Sequence, residues 1–198
     1  VLMERMAVED GRLVLACGMS YRILALPESA TMTPALLARV VSLVKDGATV
    51  IGPRPERSPS LAGYPACDDE VKRLAEELWA DCDGKSVKER RLGLGRVVWG
   101  DTPERVLGAA GLGPDFAGPA RWRYIHRAAG DADIYFVSNP ESFDVTAAAA
   151  FRVAGKVPEL WWPETGRIER ASAFERRGDV TSVLLPLGPS GSVFVVFR

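Results

Sequence analysis

Histidine is the scarcest residue with chemical reach in these 198 residues: there is one, His126. A Ser-His-Asp triad could draw only on that residue, and a multi-histidine metal centre within the chain is nearly excluded. Cysteine is almost as scarce. Cys17, Cys67 and Cys82 make an odd set with no CxxC spacing, which argues against a disulfide framework or a thiolate zinc site. Nor does either sign of charge dominate. Lys and Arg number 25 against 26 Asp and Glu, so the basic excess that marks nucleic-acid binding is missing. No apolar run approaches the ~18 residues of a membrane-spanning helix, so no membrane partner is expected. The first residues, VLMERMAVEDG, have neither the basic nor the apolar region of a signal peptide. They also lack an initiator Met, which suggests an excised piece of a longer protein. The phosphate-cradling patterns GxGxxG and GxxxxGK[ST] are absent from the strand-to-helix junctions, and no cofactor is expected.

What is present is a globular composition, 47% apolar and 26% charged, in two parts with different periods. Asp10-Gly11 between apolar runs predicts a hairpin. Tyr21 to Pro27, ATVIG and GRVVWG read as buried parallel strands. Helices alternate with them. Thr33-Pro34 and Thr102-Pro103 are cap-plus-proline starts, and Asp68 reads as the cap of DDEVKRLAEELW. DCDGKSVKERRLG reads as a polar surface excursion. Beyond Ala120 strand-like runs recur about every ten residues between turn clusters. The expected fold is therefore α/β plus all-β: a small flavodoxin-like parallel sheet layer over 1–115, then an antiparallel β-sandwich over 116–198.

Three groups of residues invite a functional reading. The loop GPRPERSPSLAGYP, Gly52 to Pro65, follows the second parallel strand, where an open α/β sheet holds ligands. Arg54, Arg57, Ser58, Ser60 and Tyr64 could bind a sugar or an anion there, although the prolines could equally serve as a rigid connection. Trp161-Trp162, with Trp122, Tyr124 and Tyr135, could form a stacking platform for a sugar ring or pack in a sandwich core. His126, on a strand beside Arg127, suits a structural role. Asp68-Asp69-Glu70, Asp81/Asp83 and Asp131/Asp133 read as solvated caps and turns, and DCDGKSVKE breaks the calcium-loop pattern. No catalytic residue and no metal ligand is assigned.

GMSYRILALPESATMTPALL, GATVIGPRPERSPSLAGYPACDDEVKRLAEELW, DADIYFVSN, FRVAGKVPELWWPETGRI and GSVFVVFR together resemble, over nearly the whole chain, the C-terminal third of glycoside hydrolase family 106, the bacterial α-L-rhamnosidases. Trp162 departs from the family's PELW-D-P-x-TG pattern, which carries an acid there. The resemblance implies a hydrolase whose catalytic (β/α)-barrel lies upstream of Val1, in a parent that could carry a signal peptide there and be periplasmic or secreted; the localisation is left open. This chain would then be an amidotransferase-like layer joined to a sandwich. It would act as a non-catalytic accessory region, inactive by itself, with the catalytic domain and a rhamnose-containing glycan as partners. A carbohydrate-binding module using the sandwich aromatics is the alternative. An independent amidotransferase needs a Cys at a strand-to-helix elbow near a His, and none of the three cysteines is so placed.

Overall fold

The structure, a computed structural model, describes residues 3–198. It divides into two compact units, Val1–Gly111 and Leu112–Arg198. The first unit runs β1 (Met6–Glu9), β2 (Arg12–Leu15), β3 (Ser20–Tyr21), β4 (Leu24–Ala25), α1 (Pro34–Lys45), β5 (Thr49–Ile51), α2 (Ala66–Trp79), β6 (Glu89–Leu92), β7 (Gly95–Val98) and α3 (Pro103–Ala109). Asp10 and Gly11 both take positive φ and close the β1–β2 hairpin, to which β3 adds antiparallel. The Thr33 hydroxyl accepts the Leu36 N–H at the start of α1, and Thr102 does the same for Arg105 at the start of α3.

Leu37, Val40 and Val44 of α1 and Val71, Leu74 and Leu78 of α2 bury one side of β5 and β7 through Val50 and Val97. Val106 of α3 packs with Ile51 and Val98, the alternate positions of the same strands. Among the described residues no helix is long and apolar enough to cross a membrane.

The expected flavodoxin-like, or amidotransferase-like, parallel layer is not what forms. Parallel strand pairing runs only through β4–β5–β7 among the described residues, over two and then three residue pairs, with one isolated parallel bridge between Thr31 and Arg57. The other sheets, and the β6 edge of this one, are antiparallel, so the molecule is mostly antiparallel sheet with three short helices among the described residues. Two local features cause this. The run Tyr21 to Pro27 divides: its first residue pairs antiparallel with β2, and only Leu24-Ala25 pairs with β5. The polar stretch expected as an excursion contributes β6, which hairpins onto β7 through Gly93. Gly93 is required there. Its φ is +62°, and an added Cβ would lie 2.5 Å from the Lys45 carbonyl oxygen. Asp68 is likewise not a cap, because α2 begins at Ala66 after Pro65, with no side-chain cap bond.

The second unit contains β8 (Phe116–Ala117), β9 (Arg123–Ala129), β10 (Ala132–Ser138), β11 (Val145–Phe151), β12 (Pro158–Trp161), β13 (Ile168–Arg170), β14 (Phe174–Arg177), β15 (Val180–Leu187) and β16 (Ser192–Phe197). They form a five-stranded sheet, β13-β12-β16-β10-β9, and a four-stranded one, β14-β15-β11-β8. Tyr135, Val193, Val195 and Phe197 of the first share one core with Ala149, Phe151, Val183 and Leu185 of the second. Phe151 is its hub, with ring centroids 4.9 Å from Tyr135, 5.2 Å from Phe197 and 5.3 Å from Phe116. The alanine run of β11 is held extended by seven residue pairs to β15, so tertiary pairing overrides its helical preference. Asn139, almost fully buried, fixes a corner by donating to the Phe143 and Gly188 carbonyls.

The outward face of the five-stranded sheet is not uniformly polar. Ile125, Phe136, Phe194, Trp161 and Ile168 are successive direct partners across β9, β10, β16, β12 and β13, an apolar row spanning the sheet. The parallel row is Arg127, Ile134, Val196, Glu159 and Arg170.

Candidate functional site

In the first unit, the loop from Gly52 to Pro65 is anchored mainly through its backbone. Gly52 donates to the Val98 carbonyl and accepts the indole N–H of the fully buried Trp79 at 3.1 Å. A Cβ on Gly52 would meet Leu26 at 2.6 Å, so only glycine lets the chain turn here. Arg54 folds back to Glu76 at 2.7 Å and to the Ala80 carbonyl, which makes it part of the anchor rather than a ligand contact. The Arg57 carbonyl accepts the Met32 N–H. The Ser58 N–H goes to the Asp68 carboxylate at 2.9 Å, and the Ser58 and Ser60 hydroxyls each accept the N–H two residues on. The peptide bond before Pro65 is cis. The loop's exposed side chains include Glu56, Arg57, Leu61 and Tyr64.

A cavity of about 390 Å³ does open at the carboxyl ends of β4, β5 and β7. Of the loop only Gly52 lines it; Arg57, Ser58, Ser60 and Tyr64 do not. Its polar groups are Glu28, Asp101 and Arg105, the last two an ion pair at 3.1 Å. These residues were missed in the sequence because they lie in short connections with no motif. Their only signal is that they follow strands.

In the second unit, Trp161 and Trp162 end β12 at a hairpin closed by Trp162 N–H to the Arg167 carbonyl and Gly166 N–H to the Trp162 carbonyl. Each indole is clamped by a carboxylate and an arginine. Trp161 Nε1 donates to Glu159 at 3.0 Å, Arg198 pairs with Glu159, and the Arg198 guanidinium lies 5.7 Å from the Trp161 ring centre. Trp162 Nε1 donates to Glu169 at 2.8 Å, Arg167 pairs with Glu169, and its guanidinium lies 5.7 Å from the Trp162 ring. The Trp161 N–H and the Arg198 charge hold the Glu159 carboxyl below the usual carboxylate range, against a smaller upward push from burial. Glu159, Arg167 and Glu169 all lie within ELWWPETGRIE, but their spacing alone does not assign them to the indoles. Alternation puts Glu159 and Trp161 on one side of β12.

Two cavities adjoin this hairpin. One, about 240 Å³, is walled chiefly by Trp161, Pro163, Ile168 and Phe194. The other, about 330 Å³, is lined by Glu164, Thr165 and Ser192, and both include Trp162 and Arg167. Trp122 and Tyr135 belong to the sandwich core instead, 5% and 0% exposed. Tyr124 stacks on Phe116 at 4.6 Å.

His126 is the centre of a polar cluster in the second unit. Its Nδ1 lies 3.0 Å from Asp115 and its Nε2 3.0 Å from Asp133, and its ring stacks on Tyr135 at 4.0 Å. Lys156 pairs with Asp133 at 2.6 Å, while Arg152 and the Tyr135 hydroxyl reach Asp115. Burial pushes the Asp133 carboxyl up, but the hydrogen bonds from Lys156 and His126 together bring it below its ordinary value of 3.8. Burial and then the Asp115 charge push the Tyr135 phenol well above its usual range. Asp133 is therefore a tie within the sandwich rather than a solvated turn residue. Among the described residues no group of three or more His, Cys, Asp or Glu side chains is arranged to hold a metal ion.

The alpha-L-rhamnosidase family of glycoside hydrolase 106 matches residues 1–175. The chain belongs to this family. A candidate beta-glucuronidase of Formosa agariphila is 38% identical over 192 residues, which is 96% of this chain and 16% of that protein. The solved structure of a rhamnosidase from Novosphingobium sp. PP1Y superposes on 100% of this chain and 19% of its own, with a TM-score of 0.86 and 35% identity. A GH42 beta-galactosidase from G. stearothermophilus shares the fold over 90% of this chain and 32% of its own, with a TM-score of 0.53 and 13% identity. This alpha-L-rhamnosidase family chain thus spans less than a fifth of either family-level relative.

Proposed function

We propose that the chain is a non-catalytic C-terminal accessory region of a bacterial α-L-rhamnosidase-like glycoside hydrolase. It packs against the catalytic domain and shapes the edge of its active site. The observation that carries this is the coverage: end to end, the chain matches 19% of a rhamnosidase at 35% identity. In this role the loop Gly52 to Pro65 forms a rigid wall, with Arg57 and Tyr64 as the groups able to meet substrate or the neighbouring domain. The Asp115–His126–Asp133 cluster then serves the sandwich rather than chemistry, since each of its carboxylates is engaged by two or more partners.

The test is release of the aryl group from an aryl α-L-rhamnoside by the isolated chain. No turnover is expected. Turnover abolished by Asp101→Asn, Asp115→Asn or Asp133→Asn would overturn the reading.

A second reading, a carbohydrate contact through the sandwich aromatics, is favoured by one observation: the clamped indoles of Trp161 and Trp162 border two adjacent cavities.

A further inference from the structure

We infer that the tip of the loop between β5 and α2, Pro59 to Ala66, is a docking anchor that inserts Leu61 and Tyr64 into an apolar pocket of the catalytic domain. This rests on the accessory reading above and names the contact through which it operates. Three observations lead there.

The first is what the tip exposes. Every residue from Pro59 to Ala66 is exposed and none is charged, in a chain of which 26% is charged. Leu61, at 83%, is the most exposed large apolar side chain among the described residues, and Tyr64 stands at 63%. A lone exposed leucine is ordinary. An unbroken uncharged run that carries a leucine and a tyrosine together is the pattern of a protein contact, and tyrosine is a common anchor in such contacts.

The second is presentation. The Tyr64 N–H donates to the Leu61 carbonyl at 3.1 Å and closes a four-residue turn in which Gly63 takes a φ of +76°. Leu61 and Tyr64 therefore stand side by side at the two ends of one turn. The turn is tied down through the buried Cys67. Its N–H donates to the Gly63 carbonyl at 3.0 Å, and its thiol reaches the Ser60 carbonyl at 3.6 Å. The backbone is thus ordered before docking, and only side-chain rotamers remain to be fixed.

The third is what can cover the tip. The chain corresponds to 19% of a rhamnosidase, so most of such an enzyme lies outside these residues and is available as the partner. A second copy would bring the same projecting turn across a two-fold axis, and two convex turns do not bury each other. A glycan would need polar groups. The side chains of the tip offer only the Ser60 and Tyr64 hydroxyls, and Ser60 already accepts the Ala62 N–H at 3.1 Å. At the base, Glu56 and Arg57 are adjacent, exposed and opposite in sign, and neither forms an ion pair with the described residues. The contact is therefore apolar at its centre and balanced in charge at that rim.

The test compares hydroxyl-radical oxidation of the isolated chain and of the intact full-length hydrolase, read at Leu61 and Tyr64 by mass spectrometry. Both residues should oxidise several-fold more slowly in the intact hydrolase. Leu61→Asp should leave the urea midpoint of the isolated chain unchanged and lower the thermal midpoint of the intact hydrolase by several degrees. Tyr64→Phe keeps the ring, removes the hydroxyl and should give a smaller fall. The inference is overturned by equal oxidation in the two forms, by slowing that appears only when methyl α-L-rhamnoside is added, or by Leu61→Asp acting equally on both forms or on neither. It is also overturned if the isolated chain is a dimer that Leu61→Asp dissociates. The accessory reading fails separately, through turnover by the isolated chain.

Discussion

In the first unit the candidate contact loop is held mainly through main-chain atoms, at Gly52, Arg57 and Ser58, with Arg54 the one side chain of the anchor described above, and its outward side chains are left exposed. The second unit's hairpin does the reverse. There the side chains themselves are fixed, each indole bonded to a glutamate that an arginine also pairs. A pinned backbone fixes where a wall stands, but Arg57 and Tyr64 still lose side-chain entropy on meeting a ligand. A clamped ring has lost that freedom already and presents a fixed flat surface. The loop is thus suited to bounding a site completed by another domain, and the hairpin to stacking on its own.

The largest way to break this comparison is through the frame of the hairpin. Phe151→Ala removes the ring that touches Tyr135, Phe197 and Phe116, and should destabilise the sandwich by about 3–5 kcal/mol in urea denaturation. A midpoint change equivalent to less than about 1 kcal/mol would mean that Phe151 is not the hub.

A smaller effect separates the polar cluster from the core. Asp133 has a depressed carboxyl pKa in the folded chain, so its contribution is present above its unfolded value near 3.8 and is lost as pH falls through the lower folded value. Asp133→Asn should therefore cost about 1–2 kcal/mol at neutral pH and flatten the stability loss below about pH 4. An unchanged acid limb in the variant would show that other carboxylates carry it.

The smallest of these effects is on the loop. Asp68→Ala removes the acceptor of the Ser58 N–H and should cost about 1 kcal/mol. Hydrogen exchange at Ser58 should speed up while the exchange of α2 amides beyond the first turn stays unchanged. Equal exchange at Ser58 in both proteins would mean that the loop is anchored elsewhere.

How much of this could be read in advance follows from how local each cause is. Thr33-Pro34, Thr102-Pro103 and Asp10-Gly11 act within four residues, and the structure uses each as its local chemistry requires. The parallel layer was over-read because apolar runs such as Tyr21 to Pro27 do not declare their partners, and β6 hides in a charged stretch, Glu89–Leu92. The five loop candidates were placed by strand-end position, yet the cavity at those strand ends is lined by Glu28, Asp101 and Arg105. The His126 cluster joins residues 115, 126, 133, 152 and 156 through strand pairing, which no spacing rule reveals. Trp161 and Trp162 were legible as a pair. Their clamps became evident only when β13 and the chain end lay beside β12.

The comparison between loop and hairpin comes down to one calorimetric measurement of methyl α-L-rhamnoside binding by the isolated chain. The parent, a double Arg57→Ala/Tyr64→Ala variant and Trp161→Ala would be compared under one condition. The account predicts that the loop variant binds as the parent does and that Trp161→Ala loses about tenfold in affinity. Loss of binding in the loop variant with Trp161→Ala unaffected would contradict it.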